Sequence, residues 1–526
     1  MRNPVRVAML AALVVLAAPT ALLAQSRDEG RSAGDRLRET TAAAIADAWA
    51  VAPVEETEAV TRHSITAHGR TIRYTATAGT LTIRNDQGMP TASLFYVAYT
   101  ADGADRARRP VTFLYNGGPG SASIWLHMGS FGPVRVQTDE PEVVRPAPFA
   151  FGPNPDTLLD RTDLVFIDMV GAGYSRPLGA TPGSAFWGVD QDADAFTRAI
   201  FRYVTKHDRW TSPKYILGES YGTLRAGAVA YQLHDRGMAL NGVILLSSIM
   251  NYGVRQPGYN QDFISLFPTY AATAWYHNRV PNRPAELETF VQQARDFALG
   301  PYASALTKGH MISEAERAEV ARQMSAFIGL SPQFIENANL RVDLSNFRKE
   351  LLRDQRLTVG RLDSRYRGVD PDASGSRPEY DVSNTAITGA YYAAFQDYVA
   401  NTLNYETELN YNLSARGPGF EWDWSHRPPS GRPQTTPNTA IDLAAAMRLN
   451  PYLKVLTLNG YYDMATPFFS TEFDMAHMMM EPEQRRNIEF AYYPAGHMMY
   501  LDEASLDALH ADLGRFYDST ADGGAR

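Results

Sequence analysis

Six short apolar runs are the feature of this 526-residue sequence that most limits its fold. Continuous apolar runs of this length are typical of strands that are buried on both faces of a parallel sheet. Helix-like segments, such as 192–206 and 223–236, lie between several of the runs. Strands that alternate with helices predict an α/β fold. The six runs are residues 111–115, 164–169, 215–217, 243–246, 455–458 and 489–493.

The segment before these runs has a different pattern, because residues 63–100 alternate between polar and apolar side chains. Two strand-like stretches, 71–75 and 81–84, flank the turn signal Ala78-Gly79, which predicts a hairpin. Residues 94–100 predict a third strand. We therefore expect an antiparallel part at the N-terminal side of the sheet.

The alternation of strands and helices stops after about residue 250 and resumes near residue 437. The stretch between these points reads as mostly helical, and Ser313 with Glu316 forms a capping-box pattern at the start of one helix. Residues 416–436, rich in Pro, Gly and Trp, form the predicted return segment. The sequence thus predicts an α/β core, residues 61–250 and 437–522, interrupted by a large helical cap, residues 251–436.

The N-terminus predicts an exported protein. Residues 1–24 have a positive start, an apolar run and a small residue before Gln25, as secretory signals do. The alternative is a retained membrane anchor, but the run is short and Pro19 interrupts it. Residues 25–60 would form an N-terminal extension. We expect a periplasmic or extracellular protein with no membrane association after signal cleavage.

Composition excludes several classes of chemistry. The chain has no cysteine, so thiol catalysis, cysteine-ligated zinc and iron–sulfur clusters are ruled out. With 49 basic and 58 acidic residues, the net charge of −9 argues against a general nucleic-acid binder. An acidic stretch at 190–201 begins like a calcium loop but lacks its glycine and its final glutamate. We expect no cofactor and no metal, and the sequence leaves the oligomeric state open.

The run at 215–217 leads into Gly218-Glu219-Ser220-Tyr221-Gly222, a G-x-S-x-G motif followed by a helix-like segment. A strand before this motif and a helix after it are the context of a nucleophile elbow. The helix N-terminus would add positive potential where an oxyanion forms. Ser220 is therefore the candidate nucleophile.

A serine nucleophile needs a base, and the base needs an orienting acid. His497 follows the last strand-like run, and a glycine before it lets the loop turn towards the serine. Asp463 follows the run at 455–458, and Asp168 is the second candidate for the acid although it precedes the serine. We read His510 as a surface histidine of a helix. We read the methionines around His477 as core packing, with a soft-metal site as the alternative.

A glycine-rich segment, Asn116-Gly117-Gly118-Pro119-Gly120, follows the run at 111–115. It lacks the Lys-Ser/Thr ending of a phosphate loop. Glycines let backbone N–H groups approach a substrate oxygen closely. One amide of this segment, together with the amide of Tyr221, would make a two-donor oxyanion hole.

Four motifs together resemble those of the serine carboxypeptidase family, in order and in spacing: residues 116–123, 218–222, 460–467 and 495–497. A large helical insertion before the aspartate motif fits as well, and the resemblance spans about residues 60–520. It implies an α/β-hydrolase fold, with a mostly parallel central sheet, an antiparallel N-terminal part and a helical cap.

The resemblance also implies roles for seven residues. These are Ser220 as nucleophile, His497 as base and Asp463 as its orienter, Gly118 and Tyr221 as oxyanion donors, and Asn116 and Glu219 as ligands of the substrate's terminal carboxylate. An ionised Glu219 would repel that carboxylate, whereas a protonated one can donate to it, so recognition should favour acidic pH. The family pairs this glutamate with a second one, and here Ser130 stands at that position.

Three functions are therefore compared. A serine carboxypeptidase acting on peptides is the main hypothesis. An esterase or acyltransferase with the same triad is the alternative that Ser130 favours. A catalytically inactive binding protein is the third. Other residues could contact substrate but are read first as structural; they are Arg225, the group Trp275, Tyr276 and His277, and the group Trp422, Trp424 and His426.

Overall fold

A computed structural model describes residues 52–138, 141–417, 419–429 and 431–521. The predicted signal segment, 1–24, and most of the predicted extension, 25–60, lie outside the described residues. Within them, no helix combines the length and the apolar character that a membrane crossing requires.

The centre of the molecule is a ten-stranded sheet with the order β1-β2-β3-β7-β4-β9-β10-β13-β14, and β8 pairs with β3. Pairing is antiparallel from β1 to β7 and parallel from β7 to β14. Two small two-stranded sheets, β5-β6 and β11-β12, lie apart from it. The strands are β1 Glu58–Ala67, β2 Arg70–Arg84, β3 Pro90–Ala101, β4 Val111–Tyr115, β5 Val134–Val136, β6 Phe151–Pro153, β7 Asp163–Ile167, β8 Arg176–Pro177, β9 Lys214–Glu219, β10 Gly242–Leu246, β11 Leu357–Val359, β12 Arg367–Val369, β13 Lys454–Gly460 and β14 Ile488–Tyr493.

Helices cover the sheet and build the long insertion. The central parallel strands are buried along their whole length, which explains their continuous apolar sequences. The α-helices are α1 Ile124–Leu126, α2 Val189–Lys206, α3 Tyr221–Asp235, α4 Gln261–Tyr276, α5 Leu287–Phe297, α6 Ala303–Lys308, α7 Glu314–Ile328, α8 Pro332–Asn337, α9 Leu344–Glu350, α10 Val382–Thr385, α11 Thr388–Asn401, α12 Ala440–Leu449, α13 Phe468–Ala476, α14 Pro482–Arg485 and α15 Glu503–Ala521. The α/β-hydrolase fold that the sequence predicts is confirmed.

One local prediction is wrong. The expected hairpin at Ala78-Gly79 is instead the middle of the 15-residue strand β2. The chain turns at Gly69, before β2, and again between Asn85 and Met89, after it. Gly79 is needed for a different reason, since a Cβ there would lie 2.5 Å from the carbonyl oxygen of Thr57. The glycine thus marks close backbone approach rather than a turn.

The long insertion contributes to two hydrophobic clusters. Helices α4 to α9 pack mainly among themselves and against the residues that follow β13, such as Tyr461 and Phe468. Helix α11 belongs to the main core through side chains such as Phe395. Helix α7 begins with the predicted capping box, where the Ser313 hydroxyl accepts from the backbone N–H of Glu316. The division of the chain into core and cap stays a prediction.

Candidate active site

Ser220 occupies the sharp turn between β9 and α3. Its backbone angles, φ 61° and ψ −129°, are strained for a residue with a side chain. The flanking glycines make the turn possible, because a Cβ on Gly218 would lie 2.1 Å from the carbonyl oxygen of Gly222. The predicted nucleophile therefore stands half-exposed at the N-terminus of a 15-residue helix.

The predicted acid and base are in direct contact. Nδ1 of His497 lies 2.7 Å from Oδ2 of Asp463, and both side chains are buried. The other oxygen of Asp463 accepts from the backbone N–H groups of Ala465 and Thr466. An Asp463 carboxylate held as an acceptor keeps the proton of His497 on Nδ1, which leaves Nε2 as the basic nitrogen.

The nucleophile and the base are attached to the same part of the sheet. Leu246, at the end of β10, accepts the backbone N–H of Ser220 at 3.0 Å. The next residue, Ser247, donates its hydroxyl to the carbonyl of His497 at 2.6 Å. The backbone N–H of His497 in turn donates to Leu362. The carboxyl ends of β9, β10, β13 and β14 thus carry all three predicted catalytic residues to one edge.

Charges around His497 set its proton affinity. Burial favours the neutral ring, but the Asp463 carboxylate and Glu219 outweigh it and raise the pKa of His497 above its ordinary value. Arg361 acts in the opposite direction. The ring therefore holds a proton more readily than a free histidine does, as a base that must become an imidazolium requires.

The glycine-rich segment after β4 lies against the start of α3. A Cβ on Gly117 would be 2.4 Å from the backbone nitrogen of Tyr221, and Gly118 has a φ of +109°, which favours glycine. Tyr221 is the first residue of its helix, so its N–H has no intrahelical acceptor. The structure thus brings the two predicted oxyanion donors into one neighbourhood.

Glu219 is buried beside the catalytic residues. The Tyr500 hydroxyl donates to its Oε2 at 2.9 Å, and the Asn116 side chain also hydrogen-bonds the carboxyl group. Burial raises the pKa of Glu219 to about 7, although His497, Tyr500 and Asn116 act against this rise. A carboxyl group of this pKa is largely neutral in mild acid and can donate a hydrogen bond.

Ser130 is buried in the turn His127–Phe131 that follows α1. Its hydroxyl donates to the carbonyl of Leu126 at 2.6 Å. The Ser130 hydroxyl therefore forms its hydrogen bond within its own turn. The residue supplies no carboxyl group next to Glu219. The raised pKa of Glu219 comes mainly from burial and, to a smaller extent, from the Asp463 carboxylate, without the second carboxyl of the family pattern.

Asp168, the second candidate for the acid, is occupied elsewhere. It accepts from the backbone N–H of Ser123 at 2.7 Å, and its carboxyl group packs where a Cβ of Gly173 would be. Burial raises the pKa of Asp168 to about 6. It therefore supports the glycine-rich loop at 171–173 and does not orient the base.

Arg225 is fully buried and does not face a substrate space. Its guanidinium pairs with Asp192 at 2.6 Å and donates to the carbonyl of Asn116 at 2.6 Å. The ring of Phe196 lies 4.2 Å from it. The arginine thus fixes the backbone of the predicted carboxylate ligand from behind.

Two other histidines are placed away from the catalytic edge. His477 is exposed at the end of α13. His510 lies on α15 as predicted, but it is buried, stacked on His68 at 3.9 Å and bonded to Asp160. The surface interpretation of His510 is wrong, because the preceding strands fold back over this helix.

Sequence reasoning missed two residues of the site. The Thr466 hydroxyl donates to Oδ2 of Asp463 at 2.6 Å and lies 3.1 Å from Nδ1 of His497. Tyr500 contacts Glu219, as described above. Both lie three residues after a predicted catalytic residue, so proximity to the motifs was the signal available.

The return segment, residues 416–436, lies beside the nucleophile turn. The rings of Trp422 and Trp424 are 5.3 Å and 6.1 Å from that of Tyr221. His426 is buried between Asp190, at 2.6 Å, and Asp442, at 2.9 Å. The tryptophans therefore pack on the buried side chain of Tyr221, while the histidine anchors the segment.

The second aromatic group is tied into the insertion. Trp275 donates to the carbonyl of Pro284, and His277 contacts the carbonyl of Ser364.

Across the part of the chain that the structure covers, no three or more His, Cys, Asp or Glu residues are arranged to hold a metal ion.

Comparison with known proteins gives one family. The model of the serine carboxypeptidase family matches residues 70–500. A search of curated proteins gives no match.

Several solved structures are similar in outline. A proline iminopeptidase from Mycobacterium smegmatis is 14% identical, with a TM-score of 0.36, over 84% of this chain and 98% of that one. A thermophilic esterase from Thermogutta terrifontis is 14% identical, with a TM-score of 0.34, over 83% and 98%. A putative aryl esterase from Burkholderia cenocepacia is 12% identical, with a TM-score of 0.35, over 84% and 98%.

Proposed function

The chain belongs to the serine carboxypeptidase family and is a serine hydrolase, and on this premise we propose that it removes C-terminal residues from peptides. The observation that carries the proposal is the buried carboxyl group of Glu219 next to the nucleophile turn. Its pKa of about 7 suits a group that must donate to a substrate carboxylate.

Ser220 attacks the carbonyl carbon of the last peptide bond, and Nε2 of His497 accepts the hydroxyl proton. The imidazolium is stabilised by Asp463, whose Oδ2 is 2.7 Å from Nδ1. His497 then gives the proton to the leaving amino group, and an acyl-enzyme remains. Water activated by His497 releases the acyl group from Ser220.

The backbone amides of Gly118 and Tyr221 hold the negative oxygen of each tetrahedral intermediate. A fixed donor of this kind lowers the barrier by about 3 kcal/mol. The positive end of the α3 dipole acts in the same direction. Both donors belong to backbone that glycines bring close together.

The terminal carboxylate of the substrate is bound by neutral Glu219 and by the Asn116 amide. Asn116 is held in position on three sides: its Oδ1 accepts from Leu126, its carbonyl accepts from Arg225, and its N–H donates to Ser123. Because its Oδ1 is occupied, its side chain interacts with Glu219 and Tyr500 through Nδ2, the group that would reach the substrate carboxylate in the proposed complex. Ionisation of Glu219 turns this attraction into repulsion.

We further propose export through the segment 1–24, with action in the periplasm or outside the cell. Peptides are the partners that this chemistry requires; nucleic acids and, after cleavage of the signal, membranes are not. No cofactor takes part in the scheme.

Two measurements test the function. A fluorophosphonate probe should label Ser220, identified by mass spectrometry of its tryptic peptide, and should not label Ser220→Ala. Incubation of a peptide and its C-terminal amide should give stepwise loss of terminal residues from the free acid only. Labelling of Ser220 with hydrolysis of simple esters but of neither peptide would instead support the esterase or acyltransferase that Ser130 favours.

A further inference from the structure

We propose that Arg255, Arg361 and Arg416 form a cationic collar around Tyr252 at the mouth of the catalytic site, and that this collar selects peptides with an acidic side chain on the acyl side of the bond cleaved. The inference rests on the proposed function and adds the substrate class.

Arg416 lies directly on the predicted oxyanion loop. Its Nε donates to the carbonyl of Pro119 at 3.0 Å and its Nη2 to the carbonyl of Gly118 at 3.2 Å. The chain on either side is fixed there too, since the N–H of Ala415 donates to Gly120 at 2.7 Å. An arginine has five N–H donors, so these two bonds leave most of the fork free for a ligand.

Arg416 has no carboxylate within ion-pair distance among the residues that the structure covers, and its side chain is exposed. A surface arginine that donates its hydrogen bonds to carbonyl groups of an active-site loop is a fixed positive charge without a counter-charge. Such a charge attracts an anionic group of the substrate.

The other two arginines are attached to the loop that carries Asp463. Arg255 donates to the carbonyl of Ala465 at 3.1 Å, and its guanidinium lies 5.8 Å from the centre of the Tyr252 ring. The carbonyl of Arg361 accepts the N–H of Met464 at 3.1 Å. The collar therefore draws on both loops that frame the nucleophile.

Carboxylates compensate these two charges only in part. Asp262 is 3.4 Å from Arg255. Asp381 is 3.8 Å from Arg361, but it also faces Arg348 at 3.6 Å. All three collar arginines act electrostatically on the Tyr252 hydroxyl and oppose the rise of its pKa that burial causes. The Asp474 carboxyl also interacts with Arg255, and the three charges named as acting on the Tyr252 hydroxyl are all positive.

The two chain neighbours of Ser220 contact different sets of side chains. Glu219, before the serine, faces Tyr500 and Asn116. Tyr221, after the serine, faces Trp422 and Trp424 of the return segment.

Trp424 links Tyr221 to the collar, because its ring is 4.8 Å from that of Tyr252. With the terminal residue of the substrate held at Glu219, the penultimate residue meets the collar. The aromatic rings exclude water near the collar. This strengthens the attraction of the collar arginines for a carboxylate.

The test compares N-blocked dipeptides ending in Phe with Glu, Gln or Lys as the penultimate residue, at pH 6 and low salt. We expect kcat/KM for Glu to exceed that for Gln by about tenfold, a typical effect of one charge-assisted hydrogen bond, with Lys the poorest. Sodium chloride at 0.5 M should reduce the ratio of Glu to Gln, since salt screens exposed charges. Equal rates for Glu and Gln would overturn the inference.

Arg416→Gln should lower the ratio of Glu to Gln to about twofold or less, and Arg361→Gln should lower it in part. The measured quantity is the ratio of kcat/KM for the Glu and Gln substrates of the same variant. A disturbed oxyanion loop would lower both values, so the ratio still reports the preference. Arg448→Gln, an exposed arginine at the end of α12, is the matched control and should keep the ratio. An unchanged ratio in both collar variants would refute the proposal, as would a gain from Glu at the terminal position only.

Ethyl esters of N-blocked Glu and Gln separate this inference from the function it rests on. An ester has an acyl side but no terminal carboxylate. A preference for the Glu ester without hydrolysis of any dipeptide would support the collar proposal and contradict the proposed carboxypeptidase function. Hydrolysis of dipeptides without preference for Glu would support the carboxypeptidase function and contradict the collar.

Discussion

The hydroxyl of Tyr500 donates a hydrogen bond across 2.9 Å to Oε2 of Glu219, and both side chains are buried. A neutral Glu219 can accept this bond and still donate its own O–H to a substrate carboxylate. Burial, with a smaller contribution from the Asp463 carboxylate, holds the pKa near 7 without a carboxyl group at position 130. A single buried carboxyl beside a phenol replaces the paired acids of the family pattern.

Glu219→Gln should remove the pH dependence of carboxylate recognition. In the wild-type protein, kcat/KM for a free-acid dipeptide should fall as pH rises through about 7, because Glu219 ionises. The glutamine stays neutral, so this fall should disappear. The acidic limb should also move to lower pH, since the Glu219 charge no longer raises the pKa of His497. A fall above pH 7 that persists in the variant would contradict the role of Glu219.

Tyr500→Phe should shift the same fall to higher pH. The phenol stabilises the ionised form of Glu219, so its loss raises the pKa of that carboxyl further above 7. A hydrogen bond of about 1.5 kcal/mol corresponds to about one pH unit. Tyr493→Phe, whose hydroxyl donates to Asp512 instead, is the matched control and should keep the wild-type profile. The measurement is the pH profile of kcat/KM for the free-acid dipeptide; an unshifted profile in Tyr500→Phe speaks against the contact.

Asp463→Asn should lower kcat by about four orders of magnitude, because an amide no longer fixes the tautomer of His497 or stabilises its imidazolium. Asp168→Asn serves as the comparison, since Asp168 bonds Ser123 rather than the histidine. We expect its kcat to stay within about tenfold of the wild type. Steady-state kinetics on one ester substrate measures both, and similar losses in the two variants would contradict the assignment of the acid.

His426→Gln should destabilise the protein in a pH-dependent way. Burial opposes the charge, but the two aspartates outweigh it and raise the pKa of His426 to about 9 from the ordinary 6.5. A raised folded-state pKa gives stabilisation that is complete below pH 6.5 and is lost as pH rises through 9. Burial also raises the pKa of Asp442, which offsets part of the gain. We expect about 2 kcal/mol at pH 6.

Urea unfolding of the wild-type protein and of His426→Gln at pH 6 and pH 10 measures the contribution of His426 to the free energy of unfolding. The difference between the two free energies of unfolding should shrink at the higher pH. His477→Gln, at an exposed position, should match the wild type at both. A difference that does not change with pH would show that the ion pairs contribute nothing.

The parts of the molecule that repeat a local pattern were predictable from the sequence. The buried parallel strands have continuous apolar sequences, and the nucleophile turn has a glycine on each side of Glu219, Ser220 and Tyr221. The pairing of His497 with Asp463 follows from chain order and strand ends. These features depend on residues close together in the chain.

Other features depend on contacts between distant segments and could not be read in advance. Gly79 resembles a turn residue, and only the approach of Thr57 explains it. His510 lies on a helix as expected, but His68 covers it. The contact of Tyr500 with Glu219 joins residues 281 positions apart. In each case tertiary packing decided the environment that the sequence left open.

The most direct test of the central claim compares one N-blocked dipeptide with its C-terminal amide from pH 5 to pH 9. We predict a kcat/KM for the free acid at least about tenfold above that for the amide at pH 5 to 6, because the charge-assisted bond to Glu219 is lost with the carboxylate. The advantage should vanish as pH rises through about 7, the pKa of Glu219. Equal hydrolysis of acid and amide at every pH would contradict the account.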